Sequence, residues 1–375
     1  MRIAMIGQKG IPARMGGIEQ VVDMLSQHLT ARGHDVLVYC RHSYSGRDDR
    51  PSHVNRLHRI FRPSIPTKHL DAITHTLMST IDVALRRADV VHYHAIGPAA
   101  LAALARLAGL PVVVTVHGLD WQRAKWGWFA RRCLRLGEYI ASASANKLLV
   151  VSPTLCEHYI RQFGVSPQFI PNGVVPVQFI PAERISRFGL EPKRYVLAVA
   201  RLVPEKGLHY LTQAFAGLPQ DVKLVIAGGG GLDDAYERTL RQCKDPRVVF
   251  TGPANRELLA ELYSHAQLFV LPSDLEGMSI ALLEAMSMSL PTLVSDIAEN
   301  TSVIGSTGYT FRHGDVQDLR AKLFSLLSEP EQLVQAGRLA AVHAERYQWP
   351  RVVDQLEHVY SDCLSGSRRV EFATP

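Results

Sequence analysis

Paired cysteines are missing from this chain. Its five thiols, Cys40, Cys133, Cys156, Cys243 and Cys363, are scattered, odd in number and never in C-x-x-C spacing, which argues against a disulfide framework and suits reduced thiols in cytosol. Long apolar runs are missing too. None approaches the roughly 18 to 20 residues needed to cross a bilayer, and Met1-Arg2-Ile3 enters a short strand instead of the charged and apolar regions of a signal peptide. The expectation is a cytoplasmic protein. There is no RNA-binding or helix-turn-helix signature, so nucleic acid is not an expected partner. No solenoid repeat or low-complexity tract interrupts the chain.

What is present is a chain of 375 residues, 47% hydrophobic, enough for two ordinary domains with buried interiors. Charge divides unevenly: residues 1–180 carry 21 Lys+Arg against 11 Asp+Glu, and residues 181–375 carry 20 against 24. A basic amino half fits an anionic membrane face, a nucleic acid or a phosphorylated substrate, and charge alone does not choose.

Short β-branched runs alternate with amphipathic stretches, the pattern of parallel sheets wrapped by helices. The first series is "RIAMIG", "DVLVYC", "DVVHYH", "PVVVTVHG", "KLLVVS" and "QFIPNG". The proline-bearing "VVPVQFIPAERISRFGLEP" then reads as a linker. The rhythm restarts with "YVLAVARL", "VKLVIAGGG", "RVVFTG", "LFVLPS" and "PTLVSD". Two doubly wound α/β domains in series are expected, and ligands should lie beyond the carboxyl ends of their strands.

In the opening "GQKGIPARMGGIE" the glycines are too widely spaced for the G-x-G-x-x-G dinucleotide fingerprint. A nicotinamide cofactor is thereby disfavoured. Gly16 and Gly17 precede a helix whose apolar Ile18, Val21, Val22, Leu25 and Leu29 follow helical spacing; they either let a phosphate or sugar approach the helix amino end or simply make a turn. His117 and Asp120 follow the strand "VVVTV". Beyond them, Trp121, Trp126, Trp128 and Phe129 interleave with Arg123, Lys125, Arg131, Arg132 and Arg135, which suits either a membrane-surface helix or one packing its tryptophans inward. His92 and His94 share one face of a strand, two metal-type ligands with no evident third.

Arg201 and Lys206 lie on one loop of the carboxyl half beside "AGGGG" at 227–231, a good diphosphate clamp or else ordinary solvated charge. In "LFVLPSDLEGMSIALLEAMSM" a turn carries Asp274 and Glu276, and a helix is expected to begin near Gly277 to Ser279 with unprotected amides. Glu284 follows about two turns later. Continuous helix would separate the two glutamates by roughly 12 Å, too far to work on one bond. A buried Glu284 in so apolar a helix needs a hydrogen-bonding partner, and ribose hydroxyls would serve.

These residues resemble the retaining glycosyltransferases of family 4, with the two-domain GT-B fold. The resemblance spans essentially the whole chain: Gly-Gly-x-Glu in "GGIE", His117 after its strand, "IPNGV" at 170–174, Arg-x4-Lys in "RLVPEK" and Glu-x7-Glu in "EGMSIALLE". The opening "IGQKGIPARMGGIE" is also similar to a bacterial subgroup of rhamnosyltransferases and exopolysaccharide transferases. The resemblance implies two Rossmann-like domains facing across a cleft: 1–175 for acceptor, 176–345 for nucleotide sugar, and a terminal helix, 346–375, crossing back. It puts Arg201 and Lys206 on the diphosphate, Glu284 on ribose and Glu276 on the transferred hexose.

The amides of Gly277, Met278, Ser279 and Ile280 would hold sugar and phosphate, while Gly16, Gly17 and His117 close from the other wall. Acceptor contacts would fall to Asp120 and Glu19. The Met278-Ser279 pair departs from the Phe-Gly type seen in many relatives, which bears on donor identity. No D-x-D occurs, so the expectation is a metal-independent transferase without cofactor, though Asp274-x-Glu276 could still hold a cation. A saccharide or lipid-diphosphate acceptor, handled peripherally at the inner membrane face, would suit the basic half. A sugar-nucleotide epimerase and a non-catalytic binding protein of the same architecture stay open.

Overall fold

The computed structural model describes residues 1–366 apart from residues 15, 46–52, 55, 68–69, 124–125, 176–178, 219–220 and 230–233. Lys125, Gly230 and Gly231, named above, lie outside the described residues. The chain forms two compact units, one of Met1–Gly173 joined by the segment from Trp349 onward, the other of Val174–Gln348. The boundaries expected at 175 and 345 thus move to 173 and 348.

Among the described residues the first unit holds eight strands: β1 Arg2–Ile6, β2 Asp35–Arg41, β3 His53–Val54, β4 Leu57–Arg62, β5 Val90–His94, β6 Val112–Val116, β7 Lys147–Val150 and β8 Gln168–Phe169. They order as β3-β4-β2-β1-β5-β6-β7-β8. Every pairing is parallel except that of β3 with β4. The central β5 and β6 are buried along their whole length, as a sheet covered on both faces requires. β4, "LHRIFR", was not expected: half its positions are charged or histidine, and it needs only a half-buried place near the sheet edge.

Connections from β1 step one way and those after β4 step the other, so right-handed crossovers put their helices on opposite faces. The helix Gly17–Ala31 packs with the terminal helix Trp349–Leu364 on one side. On the other, Leu70–Arg86, Ala102–Leu107 and Trp128–Ser144 touch one another in chain order. The break expected at Trp349-Pro350 is a helix start, where proline's missing N–H costs nothing.

The second unit holds β9 Tyr195–Val199, β10 Lys223–Ala227, β11 Val248–Gly252, β12 Leu268–Leu271, β13 Thr292–Ser295 and β14 Tyr309–Phe311. Their order is β11-β10-β9-β12-β13-β14, all parallel. Alternate strand residues Val196, Ala198, Leu224, Ile226, Leu268 and Val270 meet Leu211, Phe215, Leu319 and Leu323 in one core, as the two-residue strand period dictates. The stretch read as a linker is docked where it is described. Glu183 and Ile185 donate their N–H groups to buried Glu261 at 2.6 and 2.8 Å, and Ile185–Phe188 forms a 3-10 turn.

Candidate active site

Among the strands paired in parallel, the order reverses between β1 and β5 in the first sheet and between β9 and β12 in the second. Loops leaving such strands diverge and open a crevice at their carboxyl ends. The Gly16-Gly17 loop follows β1, and the loops of Arg201 with Lys206 and of Asp274 with Glu276 follow β9 and β12, whereas His117 and Asp120 follow β6, one strand beyond β5.

In the second unit, Lys206 ends a 3-10 turn after β9 and Glu276 sits in the loop after β12. The two loops are clamped to each other. The Asp274 N–H donates to the Glu205 carbonyl at 2.9 Å, and Gly207, at φ 63, lies so close that an added Cβ would stand 1.9 Å from the Pro272 oxygen. Only glycine fits there. The clamp brings Lys206 Nζ to 2.5 Å from Glu276 Oε1, which also accepts the Ser273 hydroxyl at 2.7 Å. The Ser273 carbonyl in turn accepts from Ser295 Oγ at 2.6 Å. Ser273 is fully buried, a supporting role the sequence did not reveal because one serine in a turn carries no pattern.

The helix after this loop begins at Ile280, with Ser279 capping the Leu282 amide at 3.4 Å. Not every first-turn amide is therefore unprotected, and residues 276–279 are not helical, so the rise estimated between Glu276 and Glu284 does not apply. Met278 is buried. Glu284 already has a protein partner, the Tyr263 hydroxyl at 3.1 Å. Burial and then the Glu284 carboxylate drive that phenol well above its ordinary range, so Tyr263 stays a donor. Asp274 faces His313, whose Nε2 is 2.7 Å away. Arg201 follows β9 with an exposed side chain.

In the first unit the loop from β1 is fastened to its own helix. Glu19 Oε1 accepts the Lys9 N–H at 3.1 Å and Asp23 accepts the Ala13 N–H at 2.8 Å. Glu19 is buried, and its other oxygen would lie 2.0 Å from a Cβ on Gly16. The proposed acceptor residue is thus a brace of the glycine loop, an outcome invisible until the loop folds back over the helix. Gly17 is the first helical residue.

His117 leaves β6 half-buried, its Nε2 3.1 Å from Nδ1 of His94. His117, singled out in the sequence for another role, thus lies beside the His92–His94 pair, yet among the described residues no cluster of three or more potential ligands is arranged around a metal position. His92 instead bonds Tyr360 and Thr115, at 2.7 Å each. Burial, with Arg123 nearby, pushes the His117 imidazole down to about 4, leaving a neutral ring that both donates and accepts near neutral pH. Asp120 pairs with Arg123 at 3.3 Å. The tryptophans divide: Trp121 is half-buried and donates to Glu138 at 2.9 Å, whereas Trp128 and Phe129 are exposed.

Two family descriptions tile the chain: Glycosyltransferase Family 4 matches residues 15–178 and Glycosyl transferases group 1 matches residues 182–341. The chain belongs to the family 4 glycosyltransferases of GT-B fold. Among curated relatives, the sulfoquinovosyl transferase of Arabidopsis thaliana is 25% identical over 72% of this chain, which spans only 55% of that protein. The glycogen synthase of Mycobacterium tuberculosis is 27% identical over 100% of this chain and 98% of its own. Among solved structures, sucrose-phosphate synthase from Thermosynechococcus elongatus superposes with TM-score 0.82 at 21% identity, covering 97% and 99% of the two chains. HepE of Anabaena, solved with UDP-glucose, superposes with TM-score 0.78 at 17% identity, covering 96% and 100%. The specific rhamnosyltransferase likeness has no counterpart among these findings.

Proposed function

We propose that this glycosyltransferase moves a hexose from a nucleoside diphosphate sugar to a saccharide or lipid-diphosphate acceptor with retention of configuration, without metal or cofactor, in bacterial polysaccharide synthesis. The observation that carries the reading is the Lys206–Glu276–Ser273 constellation at the switch point of the second sheet, on whose β9 loop exposed Arg201 also stands. As the bond between the sugar's anomeric carbon and the diphosphate oxygen breaks, its electron pair passes to the diphosphate. Arg201, Lys206 and the amides at 277–280 meet that growing charge, stabilising the transition state more than the ground state.

Glu276 presents its second oxygen to hexose hydroxyls, and Glu284, aligned by Tyr263, takes the ribose. The acceptor hydroxyl attacks from the face the diphosphate leaves, and the departing phosphate oxygen receives its proton. In the first unit the neutral His117 and Asp120 serve the sugar and acceptor side. A lipid-diphosphate acceptor would place the enzyme peripherally at the inner face of a membrane.

Thermal-shift titration against a panel of nucleoside diphosphates and their sugars tests this, since a ligand bound only by the folded protein raises its melting temperature. One nucleotide series should bind, and Lys206→Ala should weaken it at least about tenfold, the order of a lost charge-assisted contact. Unchanged affinity in that variant would remove the reading's foundation. With a bound donor in hand, the anomeric configuration of the product by NMR separates retention from inversion, and labelled donor without acceptor separates transfer from epimerisation.

A further inference from the structure

The helix Leu70–Arg86 is amphipathic the wrong way round. Its buried residues are His75, Thr76, Ser79, Thr80 and Val83, four of them polar. Its exposed residues from 70 to 85 are Leu70, Ile73, Leu77, Met78, Ile81 and Leu85, all apolar, and Leu85 is 80% exposed. The buried hydroxyls are satisfied locally: Thr76, Ser79 and Thr80 each donate to the carbonyl four residues back, at 2.7 to 2.8 Å. An inward polar face can therefore be tolerated, but nothing in that packing accounts for an apolar stripe about 25 Å long facing outward.

The neighbours on the same face of the sheet extend the pattern. Leu104 and Leu107 are exposed on Ala102–Leu107, and Trp128, Phe129 and Leu136 on Trp128–Ser144. Charge in this layer has one sign outward. The three helices contain only three acids, and each is paired within the unit: Asp71 to Arg41, Asp82 to Arg62 and the exposed Arg86, Glu138 to Trp121 and His158. Arg131, Arg132 and Arg135 stay exposed, Arg132 stacked over Trp128 with its guanidinium 5.0 Å from the ring.

We propose that this helical face lies on an anionic lipid bilayer, with the 70–85 stripe and the exposed aromatics entering the headgroup boundary and the arginines meeting lipid phosphates. A second copy of the chain is the poorer occupant, because two-fold self-packing would set this arginine-bearing face against itself with no acids to neutralise it. The inference deepens the membrane part of the proposed function, but its test needs no catalysis: failed vesicle binding leaves transfer to saccharide acceptors untouched, and failed transfer leaves vesicle binding untouched.

The test is sedimentation of the full chain with vesicles of phosphatidylcholine, alone or mixed with phosphatidylglycerol. Binding is expected to the mixed vesicles at low salt, weaker at high salt as charge is screened. Leu77→Gln with Ile81→Gln should weaken it about a hundredfold, roughly tenfold per residue withdrawn from the apolar boundary, with the melting temperature unchanged because both side chains are exposed. Arg131→Ser with Arg132→Ser should abolish the preference for phosphatidylglycerol. No binding to mixed vesicles at low salt, or undiminished binding by the leucine–isoleucine variant, overturns the proposal. So does a dimer in sedimentation velocity that the same variant converts to monomer, since it assigns the face to a second copy.

Discussion

Glu276 Oε1 receives both the Lys206 ammonium and the Ser273 hydroxyl, so the lysine's charge is balanced inside its own unit, and the diphosphate of the proposed function would have to compete for it. Removing either partner of so enclosed a pair strands the other. Sequence spacing singled out Lys206 and Glu276 separately, but not their pairing, because nothing in the stretch between them, at a sequence separation of 70, says that their loops leave adjacent strands. Titration is the other residue-scale matter. Burial pushes His92 down to about 3, and burial with a nearby arginine pushes His75 and His117 to about 4.

Above the ordinary value of 6.5 both folded and unfolded chains hold these rings neutral, and their contribution is complete. Between 6.5 and about 4 the unfolded chain takes up protons that the folded one refuses, so stability falls with pH by up to about 1.4 kcal/mol per pH unit for each such ring. His92→Gln, able to keep a polar contact with Tyr360 or Thr115 without titrating, should show a shallower loss of melting temperature between pH about 6.5 and 5 than the parent. An identical slope would show that His92 is not one of the sensing groups.

At the scale of elements, loops after strands carry the site and glycine sets how closely they approach. Gly207 and Gly252 offer a controlled pair, with similar backbone φ of 63 and 71 but opposite surroundings: a Cβ at 207 meets the Pro272 oxygen at 1.9 Å, and one at 252 meets nothing within 4 Å. Gly252→Ala should cost about 1 kcal/mol, the price of left-handed backbone alone. Gly207→Ala should cost roughly 2–3 kcal/mol and should also weaken nucleotide binding by shifting Lys206 away from Glu276. Urea denaturation and nucleotide titration of the two variants check this, and equal stability losses would refute the account of the clamp. Helix and strand rhythm were legible here because periodicity is local. β4 and β14 were not, since a half-buried strand next to the sheet edge or a three-residue strand leaves too weak a pattern.

For the whole molecule, the last helix belongs energetically to the first unit. Trp349 fills the space beside Gly173, where an added Cβ would stand 2.3 Å from the indole. Val352, Val353, Leu356, Val359 and Tyr360 are buried, and Glu357 accepts from Arg32 and contacts His34 at 2.5 and 2.6 Å. At about 1.5–3 kcal/mol per buried large apolar side chain, these contacts rival the 5–15 kcal/mol that holds a typical domain. A chain ended at Gln348 should therefore lose protection from hydrogen exchange throughout Met1–Gly173 while Val174–Gln348 keeps its own. Full protection of both units in the truncated chain would disprove that dependence.

Local order is what the amino acids alone determined: two runs of strand and helix, the turns between them, and a set of cations, carboxylates and glycines placed just after strands. Those features follow from side-chain period and backbone sterics, which act over a few residues. Partnership was decided only in three dimensions. That Glu19 braces Gly16, that His94 faces His117, that Tyr263 holds Glu284, and that a helix turns its leucines outward all depend on which strands lie side by side. Side-chain period marks the two faces of an element, but only packing tells which face meets the core and which meets something else.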